Sequence, residues 1–113
     1  MYGLSVRWSL TDAPSDTLDR LRDYVENESH ATFAGLAGLH VKTWRARAGE
    51  WFEGTYVFVS DEARAAFQAD FESRADSVPG TAMTGVPPRI EPFEVVAVVQ
   101  GPAGFRDAAR FEG

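Results

Sequence analysis

The chain has 113 residues, 44% of them hydrophobic, which indicates a single domain over 1–113 with its own core. Its net charge of −6 argues against a nucleic-acid partner, because nucleic-acid phosphates need a basic surface. It has no cysteine, which excludes disulfides and thiol chemistry and fits a cytoplasmic protein, and no apolar run approaches the ~20 residues that span a membrane.

The first predicted elements are a strand and a helix. Residues 4–10 alternate apolar and polar side chains, which predicts a strand. Ser15 is a predicted N-cap, and acidic residues follow it where the helix dipole favours negative charge. We therefore expect a helix from about Asp16 to about Thr32.

The stretch from Gly38 to Val59 predicts a β-hairpin, because β-branched and aromatic residues fill two arms around a turn at 47–50. Without a bulge, this turn pairs Trp44 with Glu53. Side chains alternate along strands. Two faces follow, of which one carries His40, Lys42, Trp44 and Glu53 and the other carries Arg45, Phe52, Gly54 and Tyr56. Both faces are apolar enough that we expect both to be covered.

The segment after the hairpin predicts a second helix, a loop and a last strand. Ser60 is the expected N-cap of the helix, which ends before Pro79. Gly and Pro content predicts a loop over Gly80–Arg89, long enough to form the rim or lid of a site. The last strand is expected from Ile90 to Val99, and its continuous apolar run predicts cover on both faces. A polar tail, 101–113, follows the core of 4–100.

The predicted order β-α-β-β-α-β is that of a ferredoxin-like α+β fold, a four-stranded antiparallel sheet with both helices on one face. Two helices cover only one side of such a sheet. The hairpin and the last strand nevertheless carry apolar side chains on the other side. We therefore predict a homodimer that forms through the open sheet face.

The hairpin resembles that of a known family. Gly38-Leu-His-Val-Lys-Thr-Trp44, Phe52-Glu-Gly-Thr-Tyr-Val-Phe58 and Ser60-Asp-Glu-Ala63 are similar to the YdhR-like mono-oxygenases. This family belongs to the dimeric α+β barrel superfamily, with the antibiotic-biosynthesis mono-oxygenases. The resemblance implies two facing sheets and a small pocket between sheet and helices. It also implies oxygenation of an electron-rich aromatic substrate without metal, flavin or other cofactor.

The first candidate group for chemistry is the predicted face with Lys42, Trp44 and Glu53. On this arrangement the two charged residues anchor an acidic phenol while the indole stacks on it. The competing interpretation is a cross-strand ion pair that supports an inter-sheet Trp in the dimer seam.

The second candidate group surrounds Gly54, which leaves a side-chain-sized gap in its strand. A pocket lined by Phe33, Phe52 and Tyr56 accepts a flat ring at this gap, with Arg45 as an orienting group. The competing interpretation is that Gly54 marks a β-bulge and that the aromatic residues are core.

His30 is the candidate general base, because an imidazole titrates near neutral pH and accepts a proton from a phenol. The competing interpretation is a histidine that caps the end of the first helix. The two histidines lack metal-ligand spacing, so we expect no metal site.

The sequence thus predicts a cofactor-independent mono-oxygenase for a small aromatic or polyketide-like substrate. His30 is its base, Tyr56 and Arg45 orient the substrate, and Trp44 stacks on it or relays an electron. One alternative is a non-catalytic homodimeric domain that binds a small ligand. Another is an isomerase or lyase on the same barrel, with His30 or Glu53 transferring the proton.

Overall fold

A computed structural model describes residues 1–105. The strands in this part of the chain are β1 (Tyr2–Ser9), β2 (Leu39–Arg47), β3 (Trp51–Phe58) and β4 (Arg89–Glu94). The α-helices are α1 (Thr17–Tyr24), α2 (His30–Ala34), α3 (Asp61–Glu72) and α4 (Pro79–Thr84). A π-helical turn, Val25–Ser29, joins α1 to α2 without a break.

The four strands form one antiparallel sheet in the order β2-β3-β1-β4. This order confirms the predicted ferredoxin-like α+β fold. The helices pack on one face of the sheet because the core joins apolar side chains of β1 and β3 to those of α1 and α3. Its buried members include Leu4, Val6, Trp8, Leu21, Phe52, Tyr56, Phe58 and Phe71.

The predicted pairing of β2 with β3 is wrong by one residue along most of its length. Trp44 lies opposite Gly54, and Arg45 lies opposite Glu53. The cause is the turn, which has three residues with Gly49 in the left-handed conformation (φ +74°). A bulge between Leu39 and Val41 then restores the predicted pairing at the far end of the hairpin.

This shift of one residue exchanges the faces of β2, because side chains alternate along a strand. Lys42 pairs with Tyr56, so Lys42 and Trp44 lie on the helix-covered face together with Gly54. Arg45 lies on the open face with Glu53. Both predicted groupings are therefore wrong in their β2 members, whereas Phe52, Gly54 and Tyr56 of β3 share a face as predicted.

Two helix boundaries differ from the predictions and two agree with them. Ser15 is not the N-cap of the first helix, since Asp16 holds that position and no side chain caps the helix there. Ser60 is confirmed as the N-cap of α3, because its Oγ accepts a hydrogen bond from the Ala63 N–H at 3.1 Å. The first helical segment continues to Ala34, and α3 ends at Glu72.

The predicted loop Gly80–Arg89 is in part a helix, α4. Pro79 occupies its first turn, where a missing N–H costs nothing, and Gly85 ends it in the left-handed conformation (φ +80°). Its N-terminal turn lies directly against Trp8: a Cβ at position 80 would come within 2.6 Å of the ring atom Cζ2. The Trp8 Nε1–H also donates to the Thr81 Oγ1 at 3.1 Å.

The last strand is shorter than predicted. β4 pairs with β1, and Tyr2, the first residue of β1, lies opposite Glu94, so the ladder ends there. One further hydrogen bond runs from the Val95 N–H to the Met1 carbonyl. The side chains of the following segment are uncovered in the single chain, with exposed fractions of 98% for Val96, 65% for Val98 and 90% for Val99. Among residues 1–105, the predicted cover on both faces is therefore absent. Most of the predicted tail, residues 106–113, lies outside the described residues.

Candidate functional site

A cavity of about 150 Å³ lies between the helix-covered face of the sheet and the helices. β2 and β3 supply its floor through Lys42, Trp44, Phe52, Gly54 and Tyr56. Phe33 of α2 and Phe71 of α3 are among its walls, and the start of α4 contributes Pro79 and Gly80. An apolar cavity of about 150 Å³ is large enough to hold benzene. The space therefore fits one aromatic ring.

Gly54 is buried at the centre of the cavity floor. A Cβ at this position would lie 3.2 Å from Lys42 Cε and 3.3 Å from Tyr56 Oη. The predicted gap is thus present, and the ends of two functional side chains lie over it. The ladder has its irregularity at Leu39/Val41, so the interpretation of Gly54 as a bulge is wrong.

The Lys42 side chain ends among three aromatic rings. Its Nζ lies 3.3 Å from the ring centre of Phe33, 4.3 Å from that of Tyr56 and 4.5 Å from that of Trp44. No acidic side chain within residues 1–105 forms an ion pair with it. Burial therefore lowers the pKa of Lys42 well below its ordinary value of 10.5. Burial thus opposes the charged form of the amine at this position.

Tyr56 places a protonated hydroxyl beside that amine. Burial raises the pKa of Tyr56 above its ordinary value, so the hydroxyl remains a hydrogen-bond donor at neutral pH. Phe33 packs edge-on against the Tyr56 ring at 5.4 Å, and Phe67 packs on it at 4.8 Å. These contacts fix the ring in a direction that leaves its hydroxyl over Gly54.

His30 is buried, with 8% of its surface exposed, but it does not line the cavity. Its imidazole stacks on Trp44, with ring centres 5.6 Å apart and planes 26° from parallel. Trp44 does line the cavity. His30 therefore contacts the site through the indole.

Sequence reasoning missed the π-helical turn, whose first and last residues, Val25 and Ser29, line the cavity. π-Helical turns occur frequently at functional sites, because the extra residue changes the direction of neighbouring side chains. The turn contains neither Gly nor Pro, so no local signal marks it. Sequence reasoning also missed Arg74 and Tyr24, which line the cavity.

Glu53 lies on the open face of the sheet, away from the cavity. Its carboxylate accepts hydrogen bonds from Arg7 Nε at 2.9 Å, from Ser5 Oγ at 2.9 Å, from Thr55 Oγ1 at 2.9 Å and from Arg45 Nε. Burial alone would raise the pKa of Glu53, but the four hydrogen bonds outweigh burial and lower the pKa to about 2. Glu53 thus forms a cross-strand ion pair, with arginines rather than with Lys42.

The structure accordingly brings together only some of the candidate residues. Arg45 and Glu53 lie on the other face, and His40 lies at the exposed start of β2. The residues that share the cavity are Phe33, Lys42, Trp44, Phe52, Gly54 and Tyr56. Within residues 1–105, no three His, Asp or Glu side chains come close enough to hold a metal ion. None of the helices described is long and apolar enough to cross a membrane.

No protein-family model and no curated protein matches the sequence. Solved structures do match. The ActVA-Orf6 mono-oxygenase of Streptomyces coelicolor, in complex with the ligand nanaomycin D, is similar with a TM-score of 0.65 and 15% identity. That match covers 88% of this chain and 91% of the mono-oxygenase.

Two further structures have the same fold. A mutant of MhuD, with two manganese protoporphyrin IX molecules bound per active site, matches with a TM-score of 0.58 and 18% identity over 88% of this chain and 98% of its own. A dimeric ferredoxin-like protein from an uncultured marine organism matches with a TM-score of 0.57 and 12% identity over 87% and 96%. At these identities the likeness establishes the fold alone. None of the three is described as YdhR-like, so that finer resemblance stays a prediction.

Proposed function

We propose that the protein binds a single-ring phenol in this cavity and oxygenates it with dioxygen, without a bound cofactor. The observation that carries the proposal is the amine of Lys42, which lies among three aromatic rings at a cavity the size of one aromatic ring. The rings provide apolar contact for a flat molecule, and the amine provides a proton acceptor for its hydroxyl.

The chemistry begins with proton transfer from the phenol to Lys42. Burial favours the uncharged amine before the transfer. After the transfer, the phenolate and the faces of the surrounding rings both stabilise the ammonium. A phenolate is electron-rich and donates electrons to dioxygen. In the complete reaction one oxygen atom enters the ring para to the hydroxyl and the other leaves as water, so that a phenol and dioxygen give a quinone and water. The phenol supplies all the electrons.

The other residues of the cavity have supporting roles in this proposal. Tyr56 donates a hydrogen bond to the substrate oxygen, and Trp44 stacks on the ring. Lys42 is the proposed base because it lines the cavity, whereas His30 does not line it and stacks on Trp44. The role of His30 as base stays a prediction from the sequence.

The fold comparisons support the proposal at a coarser level. The ActVA-Orf6 mono-oxygenase, in complex with nanaomycin D, and the MhuD mutant, with manganese protoporphyrin IX bound, have this fold. We propose on this basis that the chain belongs to the same mono-oxygenase-like superfamily. A cytoplasmic location remains an expectation from composition.

A homodimer through the open sheet face is part of the proposal. The open face carries the partly exposed apolar residues Val41 and Phe93, and the exposed segment 95–99 continues from its edge. One of the similar structures is described as a dimeric ferredoxin-like protein. A second copy supplies the cover that the open face lacks in the described part of the chain.

Oxygen uptake with a panel of single-ring phenols and hydroquinones tests the function. We expect the wild-type protein to consume dioxygen with at least one of them and Lys42→Met to do so at least about 100-fold more slowly, the usual contribution of a general base. Arg47→Met is the matched control, because Arg47 is an exposed cation on the same strand, outside the cavity. The absence of uptake by the wild type, or equal rates for Lys42→Met, would contradict the proposal.

The second candidate function is a non-catalytic binding domain for the same class of ligand. The absence of His30 from the cavity lining favours this alternative. With His30 outside, Lys42 is the one proposed base among the lining residues, so catalysis depends on that amine alone. Phenols that raise the melting temperature while no oxygen is consumed would establish this alternative. The isomerase or lyase interpretation with Glu53 loses support, because Glu53 lies on the opposite face and stays ionised.

A further inference from the structure

We propose that Lys42 is also an amine nucleophile, which captures a small aromatic aldehyde or ketone in the cavity as an imine. This activity needs the cavity and the amine, and it does not depend on the oxygenation of phenols. It gives the site a second class of ligand, carbonyl compounds with one aromatic ring.

The geometry of Lys42 meets the requirements for a nucleophilic amine. Its Cε lies over Gly54, and its Nζ is held by ring faces rather than by a carboxylate in the described part of the chain. A carboxylate partner would hold the side chain as an ammonium, which has no lone pair for attack. Lysines in apolar surroundings that lack such a partner are the ones that form imines with carbonyl substrates.

The Tyr56 hydroxyl lies where it can donate a hydrogen bond to the oxygen that departs in imine formation. Tyr56 Oη and Lys42 Cε both lie within 3.3 Å of the position that a Cβ of residue 54 would occupy. The hydroxyl and the amine-bearing end of the lysine therefore share one gap. The hydroxyl is protonated at neutral pH, because burial raises the pKa of Tyr56.

The reaction is balanced without an oxidant or a cofactor. The lone pair of Nζ forms a bond to the carbonyl carbon, and the carbonyl oxygen takes up a proton to become a hydroxyl. This hydroxyl leaves as water with a second proton, and a carbon–nitrogen double bond remains. Tyr56 donates a hydrogen bond to the departing oxygen, and both protons of the water come from the amine.

The aromatic walls favour this ligand class over aliphatic carbonyl compounds. Phe33, Trp44 and Tyr56 surround the nitrogen, so a ring attached to the reacting carbon stacks on at least one of them. The cavity volume of about 150 Å³ suits a ligand with one ring. Benzaldehyde is therefore the natural probe.

The sequence makes the test unusually clean, because Lys42 is the only lysine of the chain. Benzaldehyde with cyanoborohydride converts an imine to a stable benzylamine, which mass spectrometry locates. Trypsin does not cleave after a benzylated lysine, so peptide mapping separates Lys42 from the terminal amine of Met1. A lysine-containing reference peptide in the same tube gives the rate of an ordinary side chain, of which about one part in 2,500 is uncharged at pH 7.

We expect Lys42 to be labelled at pH 7 at least about tenfold faster than the reference lysine, a modest part of the gain open to an uncharged amine. Tyr56→Phe should slow this labelling and leave the terminal amine unaffected. Gly54→Ala, which keeps the lysine but narrows the cavity, should slow it as well. Acetaldehyde should label Lys42 with a smaller advantage over the reference peptide than benzaldehyde does.

Labelling of Lys42 at or below the rate of the reference lysine would overturn the proposal, and this comparison needs no variant to fold. The outcome is separable from that of the oxygenase test. Imine capture without oxygen uptake supports the carbonyl site alone, and oxygen uptake without capture refutes it while leaving the oxygenase in place.

Discussion

Trp44 lies directly across the β2–β3 ladder from Gly54, so a large ring stands beside a position with no side chain. Lys42 pairs with Tyr56 one step further along the same face. The open space of the cavity and its reactive groups thus follow from one register, in which the indole, the amine and the phenol surround the glycine.

Gly54→Ala should reduce the affinity for phenols about tenfold or more, because the new Cβ occupies space over which Lys42 Cε and Tyr56 Oη lie. We expect the free energy of unfolding to fall by about 1–3 kcal/mol, because the new Cβ meets the flexible end of Lys42 at 3.2 Å and the packed Tyr56 ring at 3.3 Å. Gly54 does not require a left-handed backbone. Gly35→Ala is the matched control, because no atom lies within 4 Å of its added Cβ. Calorimetric titration with phenol checks both variants, and equal affinities would contradict the placement of the ligand at Gly54.

His30→Ala should lower oxygenase activity less than Lys42→Met does. His30 acts on the site through its stacking on Trp44, so its loss should loosen the indole and raise KM more than it lowers kcat. We expect a change of about tenfold or less in kcat, against about 100-fold or more for Lys42→Met. Steady-state kinetics of both variants decide the matter. Activity that survives Lys42→Met and disappears in His30→Ala would return the role of base to His30.

Glu53 should make the protein sensitive to acid. Its pKa in the folded protein is about 2, below the ordinary value of 4.5, so folding favours the ionised carboxylate. The resulting stability is present above about pH 4.5 and is lost as the pH falls towards 2. Each pKa unit corresponds to about 1.4 kcal/mol, and screening at the half-exposed arginines reduces the total to about 2 kcal/mol.

Urea unfolding of the wild type and of Glu53→Gln between pH 2 and pH 7 measures this contribution. We expect Glu53→Gln to be less stable at pH 7 by about 2 kcal/mol, because Arg7 and Arg45 lose their charged partner. Its stability should then fall less between pH 4.5 and 2 than that of the wild type. Parallel pH profiles would show that Glu53 is not the acid-sensitive group.

The double variant Val96→Asp, Val98→Asp should weaken self-association. These residues are among the most exposed apolar side chains that the structure describes, and a charge there has to be desolvated if a second copy covers them. Light scattering at micromolar concentration should give twice the chain mass for the wild type and a shift towards the single-chain mass for the variant. Ala69→Asp, on the exposed surface of α3, is the control. A wild-type protein with the mass of one chain would refute the dimer.

The sequence was sufficient to predict the fold but not the side-chain groupings of the site. Alternating side chains located β1 and the hairpin, and the lack of a side chain at Gly54 indicated the gap. The face of each β2 residue depends on one residue of register. The three-residue turn around Gly49 and the bulge near Leu39 set this register, and the apolar pattern specifies neither of them.

Tertiary contacts explain the remaining differences. Gly and Pro content predicted a loop where α4 forms. The loop was not found because Pro79 starts and Gly85 ends a short helix that packs on Trp8. The apolar run 95–99 predicted a strand. A strand needs a neighbouring strand to pair with, but Tyr2, the first residue of β1, already lies opposite Glu94, so β1 has no residues left to pair with 95–99. The π-helical turn that lines the cavity has no sequence signal of its own.

The charge state of Lys42 is the most direct test of the site. Because the chain has a single lysine, protein labelled with ¹³C at the lysine Cε gives one lysine signal. We predict that this signal titrates with a pKa well below 10.5 and that it shifts when phenol is added. A titration near 10.5 with no response to phenol would contradict the account, because the amine would then be an ordinary solvated ammonium.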